Sequence, residues 1–233
     1  MISARRPKGW VSWQRSEDYY NEGLLIWLET DAIIRERSKG NKSMDDFARA
    51  FFGTKEGDYS ANPYDFKDIV RTLNNVVPYD WDGFLTKRLT EKASGAPLNG
   101  LTQGGYRLTF GDEPTATFKD GEKRSKETNL SYSLGGVIAK GKLTSVVWDG
   151  PFFNAGMVID TEIIAVNGMA YEDDVIKEAV TAAKGTTTPI RLIIKNGDRV
   201  REVAVPYYGG LRYPRLEKIG TADSGLDMLL KAR

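Results

Sequence analysis

The chain has 233 residues, and its 33 basic and 32 acidic side chains give a formal net charge of +1 at pH 7. This balance provides no overall electrostatic attraction to nucleic acid or to an anionic membrane surface. The sequence contains no histidine and no cysteine, which excludes disulfides, thiol nucleophiles and the imidazole ligands of most catalytic zinc sites. No apolar run approaches the roughly 18 residues of a transmembrane helix. We therefore predict no metal site, no membrane span and no nucleic-acid partner.

The first ten residues carry charged side chains and are not followed by an apolar stretch. They lack the features of a secretory signal peptide, and we interpret the sequence as a piece of a longer protein. The compartment stays undecided between a bacterial periplasm and the cytoplasm, because proteins without disulfides occur in both.

Residues 16–89 have the apolar periodicity of short helices. Ser43, followed three residues later by Asp46, predicts a capping box at the start of the second helix. Gly40 and Gly53 are placed to end the first and second helices. The apolar positions of the four predicted helices are Leu24, Trp27, Leu28 and Ile34; Phe47, Phe51 and Phe52; Phe66, Ile69, Val70 and Leu73; and Trp81, Phe84, Leu85 and Leu89. We predict that they form a helical subdomain over residues 1–96.

Beyond residue 97 the pattern changes to strands and tight turns. Residues 106–110 alternate with the period of two that is typical of a strand. Asn196 and Gly197 lie between two apolar alternating runs and predict a hairpin, because an Asn-Gly pair adopts positive φ at low cost.

Asp120 and Gly121 predict a second hairpin turn on the same grounds. They lie in a charge-rich segment, residues 119–126, which we interpret as a solvated loop. A single helix over residues 172–184 is predicted to interrupt the strands.

A turn at residues 133–136, with the sequence Ser-Leu-Gly-Gly, leads into the apolar residues 137–139. Such a turn exposes several backbone N–H groups in one direction and can hold a carboxylate without a cationic side chain. Two further segments follow it, Gly-Pro-Phe-Phe-Asn-Ala-Gly at 150–156 and Ile-Ile-Ala-Val-Asn-Gly at 163–168. Their order resembles the PDZ family, whose corresponding segments are typically Gly-Leu-Gly-Phe, Ser-Pro-Ala-x-x-Ala-Gly and Ile-x-x-Val-Asn-Gly.

The resemblance implies an α+β fold. In it the helical subdomain is followed by a PDZ-like, partly open β-barrel with one main helix over residues 97–215, and by a tail over residues 216–233. A bound peptide would add as a strand beside the apolar strand and lie against the helix. The residues implied in peptide binding are Leu134, Gly135, Gly136, Ile138, Ile176 and Val180.

Within this set, the amides of Leu134, Gly135 and Gly136 would receive the terminal carboxylate of the peptide, and the apolar side chains would form its pocket. Gly136 stands where the family usually has a large apolar residue, so one pocket wall is predicted to be missing. In the alternative interpretation the apolar residues are ordinary core residues and the glycines serve only a turn.

A second resemblance covers the helical half and the end of the chain. Residues 19–27, 38–46, 208–214 and 226–230 are similar to the region that follows the zinc site in the glycyl aminopeptidase family of thermolysin-like metallopeptidases. The resemblance implies an N-terminal catalytic domain as a partner, with zinc in that parent enzyme. The His-Glu-x-x-His signature is absent here, so this chain should be inactive alone.

Tyr20 and Gly23 match a Tyr-x-x-Gly pattern in which related zinc aminopeptidases place a tyrosine that stabilises the tetrahedral oxyanion. The resemblance therefore implies a catalytic role for Tyr20, limited to the intact enzyme. The alternative is an aromatic residue that packs near the start of a helix.

Together these patterns predict the non-catalytic C-terminal portion of a zinc metallo-aminopeptidase. Its PDZ domain would bind peptide or protein C-termini or guide substrate. Two alternatives stay open, namely a structural module that buttresses the catalytic domain and a standalone PDZ adaptor.

Overall fold

The computed structural model describes residues 19–53, 57, 60–92 and 95–231. The described residues group into two compact units, which we call the helical unit (residues 19–108 and 216–231) and the sheet unit (residues 109–215). Residues 97–108 and the tail, which the sequence analysis assigned elsewhere, thus group with the helices. The charged segment at the beginning of the chain, interpreted above, lies outside the described residues.

Among the described residues, five helices come first along the chain, and short strands with intervening helices follow. In chain order they are α1 (Tyr19–Arg37), α2 (Met44–Phe52), α3 (Phe66–Val76), α4 (Trp81–Thr90), α5 (Asn99–Gln103), β1 (Tyr106–Gly111), α6 (Ala116–Ser125), β2 (Thr128–Asn129), β3 (Gly136–Ala139), β4 (Lys142–Val146), α7 (Pro151–Asn154), β5 (Glu162–Val166), β6 (Met169–Ala170), α8 (Asp173–Ala182), β7 (Ile190–Asn196), β8 (Arg199–Val205), β9 (Tyr213–Lys218) and α9 (Gly225–Leu230). No helix in the described part of the chain is both long and apolar enough to cross a bilayer.

The helical unit is organised around an aromatic and aliphatic core. Ser43 caps α2, and the predicted capping box with Asp46 is present. Trp81 is fully buried, and its indole Nε1–H donates to the carbonyl of Val77 at 2.9 Å, so the ring is packed without leaving a polar atom unpaired. The buried core residues are Ile33, Ile34, Phe47, Leu73, Val77, Trp81 and Leu85.

The sheet unit contains an open antiparallel sheet. In the described residues the sheet has seven strands, in the order β2-β3-β4-β5-β7-β8, with β6 paired to β5. It does not close into a barrel, as the sequence analysis expected it partly to do. The predicted Asn-Gly hairpin joins β7 to β8, with Asn196 opposite Arg199. Strands β1 and β9 form a separate two-stranded sheet.

The hairpin and loop predicted around Asp120 are wrong, because these residues lie inside helix α6. The hydroxyl of Thr115 accepts a hydrogen bond from the amide of Phe118 and caps this helix, which Lys126 ends in the left-handed conformation. Charged side chains suit a helix whose residues are all at least partly exposed. Residues 109–215, all of them described, therefore contain two ten-residue helices, α6 and α8, and not the one main helix predicted.

Candidate functional site

The candidate site is the space between strand β3 and helix α8, which we call the groove. Leu134, Ile138, Ile176 and Val180, the four side chains predicted to form its pocket, are all fully buried. They belong to the same hydrophobic cluster. The fold therefore brings the four together, as the order of the motifs along the chain predicted, but it leaves none of them open to solvent.

The outer edge of β3 is already paired with strand β2. The two strands run antiparallel, with Thr128 opposite Ile138 and Asn129 opposite Val137. The amide of the next residue, Leu130, donates to the carbonyl of Gly136 at 2.9 Å. Because a peptide strand would add at this same edge, the chain itself occupies the position predicted for a ligand.

Leu130, the residue that follows β2, is buried together with the predicted pocket residues. Its side chain is 1% exposed and packs in the same cluster as the four pocket residues. Its carbonyl oxygen accepts the amides of Ser133, at 3.0 Å, and of Gly135, at 2.9 Å. One of the three amides predicted to receive a carboxylate therefore donates to a backbone carbonyl of the chain itself.

The turn that carries these amides is packed closely on one side. Gly135 has a φ of +76°, and a Cβ there would lie 3.1 Å from the Cα of Gly150. A Cβ on Gly136 would lie 2.7 Å from Cδ2 of Phe152, a distance that real Cβ atoms essentially never show. The large apolar residue usual at this position in the PDZ family has no room here, since Phe152 fills the space. The predicted missing wall is therefore supplied from α7.

A carboxylate ties β2 to helix α8. Glu122, on α6, accepts the amide of Asn129 with Oε1 at 2.7 Å and the ammonium of Lys177 with Oε2 at 3.3 Å. Lys177 lies on α8, so this one side chain links three elements around the groove. We call the three residues Glu122, Asn129 and Lys177 the latch. Sequence analysis missed it, and the only local signal was the Thr115 cap that makes α6 a helix.

The groove region also contains tyrosines whose ionisation is disfavoured. Burial raises the pKa of Tyr171, and the hydroxyl of this residue donates to Oδ1 of Asp173 at 2.6 Å, which raises the pKa further. Burial likewise raises the pKa of Tyr213 to about 12, with the negative charge of Glu122 adding to the effect. These phenols are therefore neutral at physiological pH. Tyr171 serves as a hydrogen-bond donor, and Tyr213 packs against Phe118.

Tyr20 lies in the first turn of α1 and is 69% exposed. The rings of Tyr20 and Tyr19 have centroids 4.5 Å apart. Leu24, one turn further along the helix, is 68% exposed. Tyr20 is thus accessible on an apolar helix end, and its predicted role in oxyanion stabilisation stays a prediction.

A buried ion pair is the main charged cluster of the helical unit away from Tyr20. Arg88 donates from Nη2 to Oε1 of Glu29 at 2.6 Å, and Asn99 donates to the same oxygen at 3.3 Å. The hydrogen bond that Arg88 donates to the carboxylate of Glu29 raises the pKa of Arg88. The three residues lie on α4, α1 and α5, so the pair cross-links three helices.

The chain does not offer ligands for the zinc ion that the second resemblance implies for a parent enzyme. In the described ranges no group of three or more acidic side chains is placed to hold a metal ion, and the whole sequence lacks histidine and cysteine. The residues present do not fit a thermolysin-like zinc site.

Comparison with solved structures shows a likeness in fold. The chain is similar to the crystal structure of an aminopeptidase N family protein from Idiomarina loihiensis, with a TM-score of 0.57 and 15% sequence identity. The alignment covers 91% of this chain and 36% of that one, so this chain spans little more than a third of that protein's length. At this level of identity the similarity establishes a shared fold and not a shared activity.

A crystal structure of the HtrA3 PDZ domain bound to a phage-derived ligand aligns with 50% of this chain and 94% of its own, at 15% identity. Its TM-score of 0.24 is too low to support an argument. No family model matches the sequence, and no curated protein matches it.

Proposed function

We propose that this chain is the non-catalytic C-terminal portion of a zinc metallo-aminopeptidase, made of a helical segment and a PDZ-like module. The sequence resemblance over the helical half supports the proposal. So does the shared fold with an aminopeptidase N family protein that is considerably longer than this chain. Zinc and the catalytic residues that hold it would belong to the remainder of the parent enzyme.

The observation that carries the proposal is the unfinished packing of helix α1. Its residues 29–34 are buried, whereas Tyr19, Tyr20 and Leu24 at its beginning are exposed. Residues 19–28 include seven apolar or aromatic side chains spread around the helix. A helix that is apolar all round is normally buried in a larger protein, and we propose that the catalytic domain covers this end.

A second candidate function, a structural module that buttresses the catalytic domain, is favoured by the filled groove. The edge of β3 is paired with β2, and the amide of Gly135 donates to the carbonyl of Leu130. In this closed form the sheet unit has no unpaired strand edge beside α8 to offer a peptide. Support of the peptidase body is therefore the function that the sheet unit serves while the groove is closed.

The proposal is tested by reconstitution with the polypeptide encoded directly upstream. The upstream polypeptide and this chain are purified separately and mixed, and hydrolysis of an aminoacyl-4-nitroanilide is followed with and without a zinc chelator. We expect chelator-sensitive activity that rises on mixing, and none from this chain alone, since it has no zinc ligands of the required type.

The matched control replaces Leu24 with aspartate, which places a charge on the surface proposed to be covered. Leu24→Asp should leave the fold of this chain intact and weaken the gain of activity on mixing. An upstream region that encodes no His-Glu-x-x-His motif would instead identify the chain as a standalone adaptor.

A further inference from the structure

We infer that residues 128–130 are a releasable internal ligand that closes the groove, so that the predicted binding of a peptide C-terminus requires these residues to leave first. This inference rests on the PDZ-like assignment made in the proposed function. We call residues 128–130 the plug. The inference concerns what the closed groove recognises, and how it opens.

The plug makes the three kinds of contact that a peptide terminus would make in such a groove. Its strand runs antiparallel to β3 and pairs with it, and its last residue lies next to the turn at residues 133–136. The side chain of Leu130 is buried in the pocket cluster. The carbonyl of Leu130 accepts the amide of Gly135, one of the three predicted to receive a terminal carboxylate, and also that of Ser133.

The identity of Leu130 specifies the ligand class. The cluster that contains Leu130 also contains Leu134, Ile138, Ile176 and Val180, all fully buried and all aliphatic. A polar or charged terminal side chain placed there would lose its hydration without gaining a partner. A terminal leucine or a residue of similar size and polarity is the expected occupant.

The plug lies at one edge of the seven-stranded sheet. Strand β2 is two residues long, and none of the residues of α6, which precedes it, is buried. The latch contributes an ion pair in which the Lys177 side chain is 26% exposed. Release would expose Thr128 and Leu130, which are 2% and 1% exposed, while the five other strand pairings described in the seven-stranded sheet need not change. Local openings of such segments are the low-energy fluctuations of native proteins.

The experiment opens the latch by charge reversal. Glu122→Lys removes the acceptor of the Asn129 amide and places two cations side by side. Glu178→Lys, on the exposed face of α8, makes the same change of charge and is the matched control. The labelled peptide is Glu-Lys-Arg-Ser-Lys-Glu-Thr-Asn-Leu, the sequence of residues 122–130 with a free carboxylate, and its binding to the full chain is followed by fluorescence anisotropy.

We expect Glu122→Lys to bind this peptide at least roughly tenfold more tightly than the wild type and the Glu178→Lys control. Binding should be lost when the peptide is amidated or ends in aspartate. The double variant Glu122→Lys with Lys177→Glu, which restores the ion pair, should return binding towards the wild-type level. Hydrogen exchange at the amides of Leu130 and Gly135 should be faster in Glu122→Lys, in proportion to the population of the form in which the plug has left the groove.

The inference is overturned if Glu122→Lys folds and releases these amides but binds no peptide. The second variant is Leu130→Asp, which expels the plug by placing a charge in the apolar cluster. If this variant folds but binds no peptide, the inference is also overturned. Hydrogen exchange of the wild type decides the case if neither variant folds. The Leu130 and Gly135 amides must then exchange through a local opening, and exchange only with global unfolding would make the plug a permanent strand. The reconstitution test does not involve the groove, so the two proposals fail separately.

Discussion

The helical unit and the sheet unit differ in whether their apolar side chains are exposed or buried. The helical unit buries the second half of α1 but leaves Tyr20 and Leu24 exposed at its beginning. The sheet unit buries Leu130 in the same cluster as the four side chains predicted to form a ligand pocket. One unit therefore leaves an apolar helix end exposed, whereas the other covers the edge of β3 with its own chain.

This difference distinguishes two kinds of interaction site. An exposed apolar helix end has a permanent free-energy cost in water, so it indicates a partner that is always present. A filled groove has no such cost, so it is compatible with a partner that comes and goes. Under the two proposals made above, α1 would make the constitutive contact with a catalytic domain, and the groove would recognise peptides conditionally.

The largest effect should come from making the same substitution in the two regions. Leu130→Ala removes a fully enclosed side chain and should lower the free energy of unfolding by about 2–5 kcal/mol. Leu24→Ala removes an exposed side chain and should change it by less than about 0.5 kcal/mol in this chain. Urea denaturation of both variants measures the contrast. Equal decreases in the free energy of unfolding would contradict the distinction between an exposed surface and a filled groove.

A second test concerns the exposed end of α1 in the reconstituted enzyme. If the hydroxyl of Tyr20 stabilises the oxyanion, Tyr20→Phe should reduce kcat by about 10²–10³-fold, the effect of losing one such donor. Tyr19→Phe, the same change at the adjacent ring, is the control and should leave kcat near the wild-type value. A Tyr20→Phe enzyme with unchanged kcat would leave packing against the catalytic domain as the only role of this residue.

The smallest effect is a pH dependence in the helical unit. The ammonium of Lys218, 2.7 Å away, and the hydroxyl of Tyr106, 2.6 Å away, hold the pKa of Asp227 well below its usual range. A carboxylate whose folded pKa lies below its unfolded value of about 3.9 stabilises the fold above that value and loses the contribution as the pH falls through the folded pKa. The urea midpoint should therefore decrease from about pH 5 towards pH 2.

Asp227→Asn should remove part of this decrease, because an amide does not titrate. Asp223→Asn is the matched control, since Asp223 is 81% exposed and 4.0 Å from the same ammonium. If the two variants have the same pH profile, the cluster around Asp227 does not distinguish the helical unit from an ordinary charged surface.

Features encoded by neighbouring residues could be predicted from the sequence. The Ser43 capping box and the Asn196–Gly197 hairpin each depend on a few adjacent positions, and both are present. The Asp120–Gly121 turn was wrong for a local reason as well, because the Thr115 cap lies five residues earlier and starts a helix through the pair. The turn residues alone did not contain that information.

The filling of the groove could not be predicted in this way. Leu130 is a single apolar residue between Asn129 and Ser131, with no periodicity to show that it is buried. Its burial depends on side chains as distant in sequence as Val180, and the fit of Phe152 against Gly136 is likewise a tertiary contact. Sequence analysis found the walls of the groove, whereas its contents emerge only from the assembled fold. The binding role of those walls stays a prediction.

The shortness of the connection between the plug and β3 has a further consequence. Only five residues separate Leu130 from Gly136, and a ligand on such a tether meets its site at an effective concentration on the order of millimolar or more. A dissolved peptide of equal intrinsic affinity must approach that concentration before it fills half of the grooves. A chain end that is held close to the groove, on the same polypeptide or within one complex, has an effective concentration similar to that of the plug and can therefore compete with it. The groove would therefore select its partners by proximity at least as strongly as by sequence.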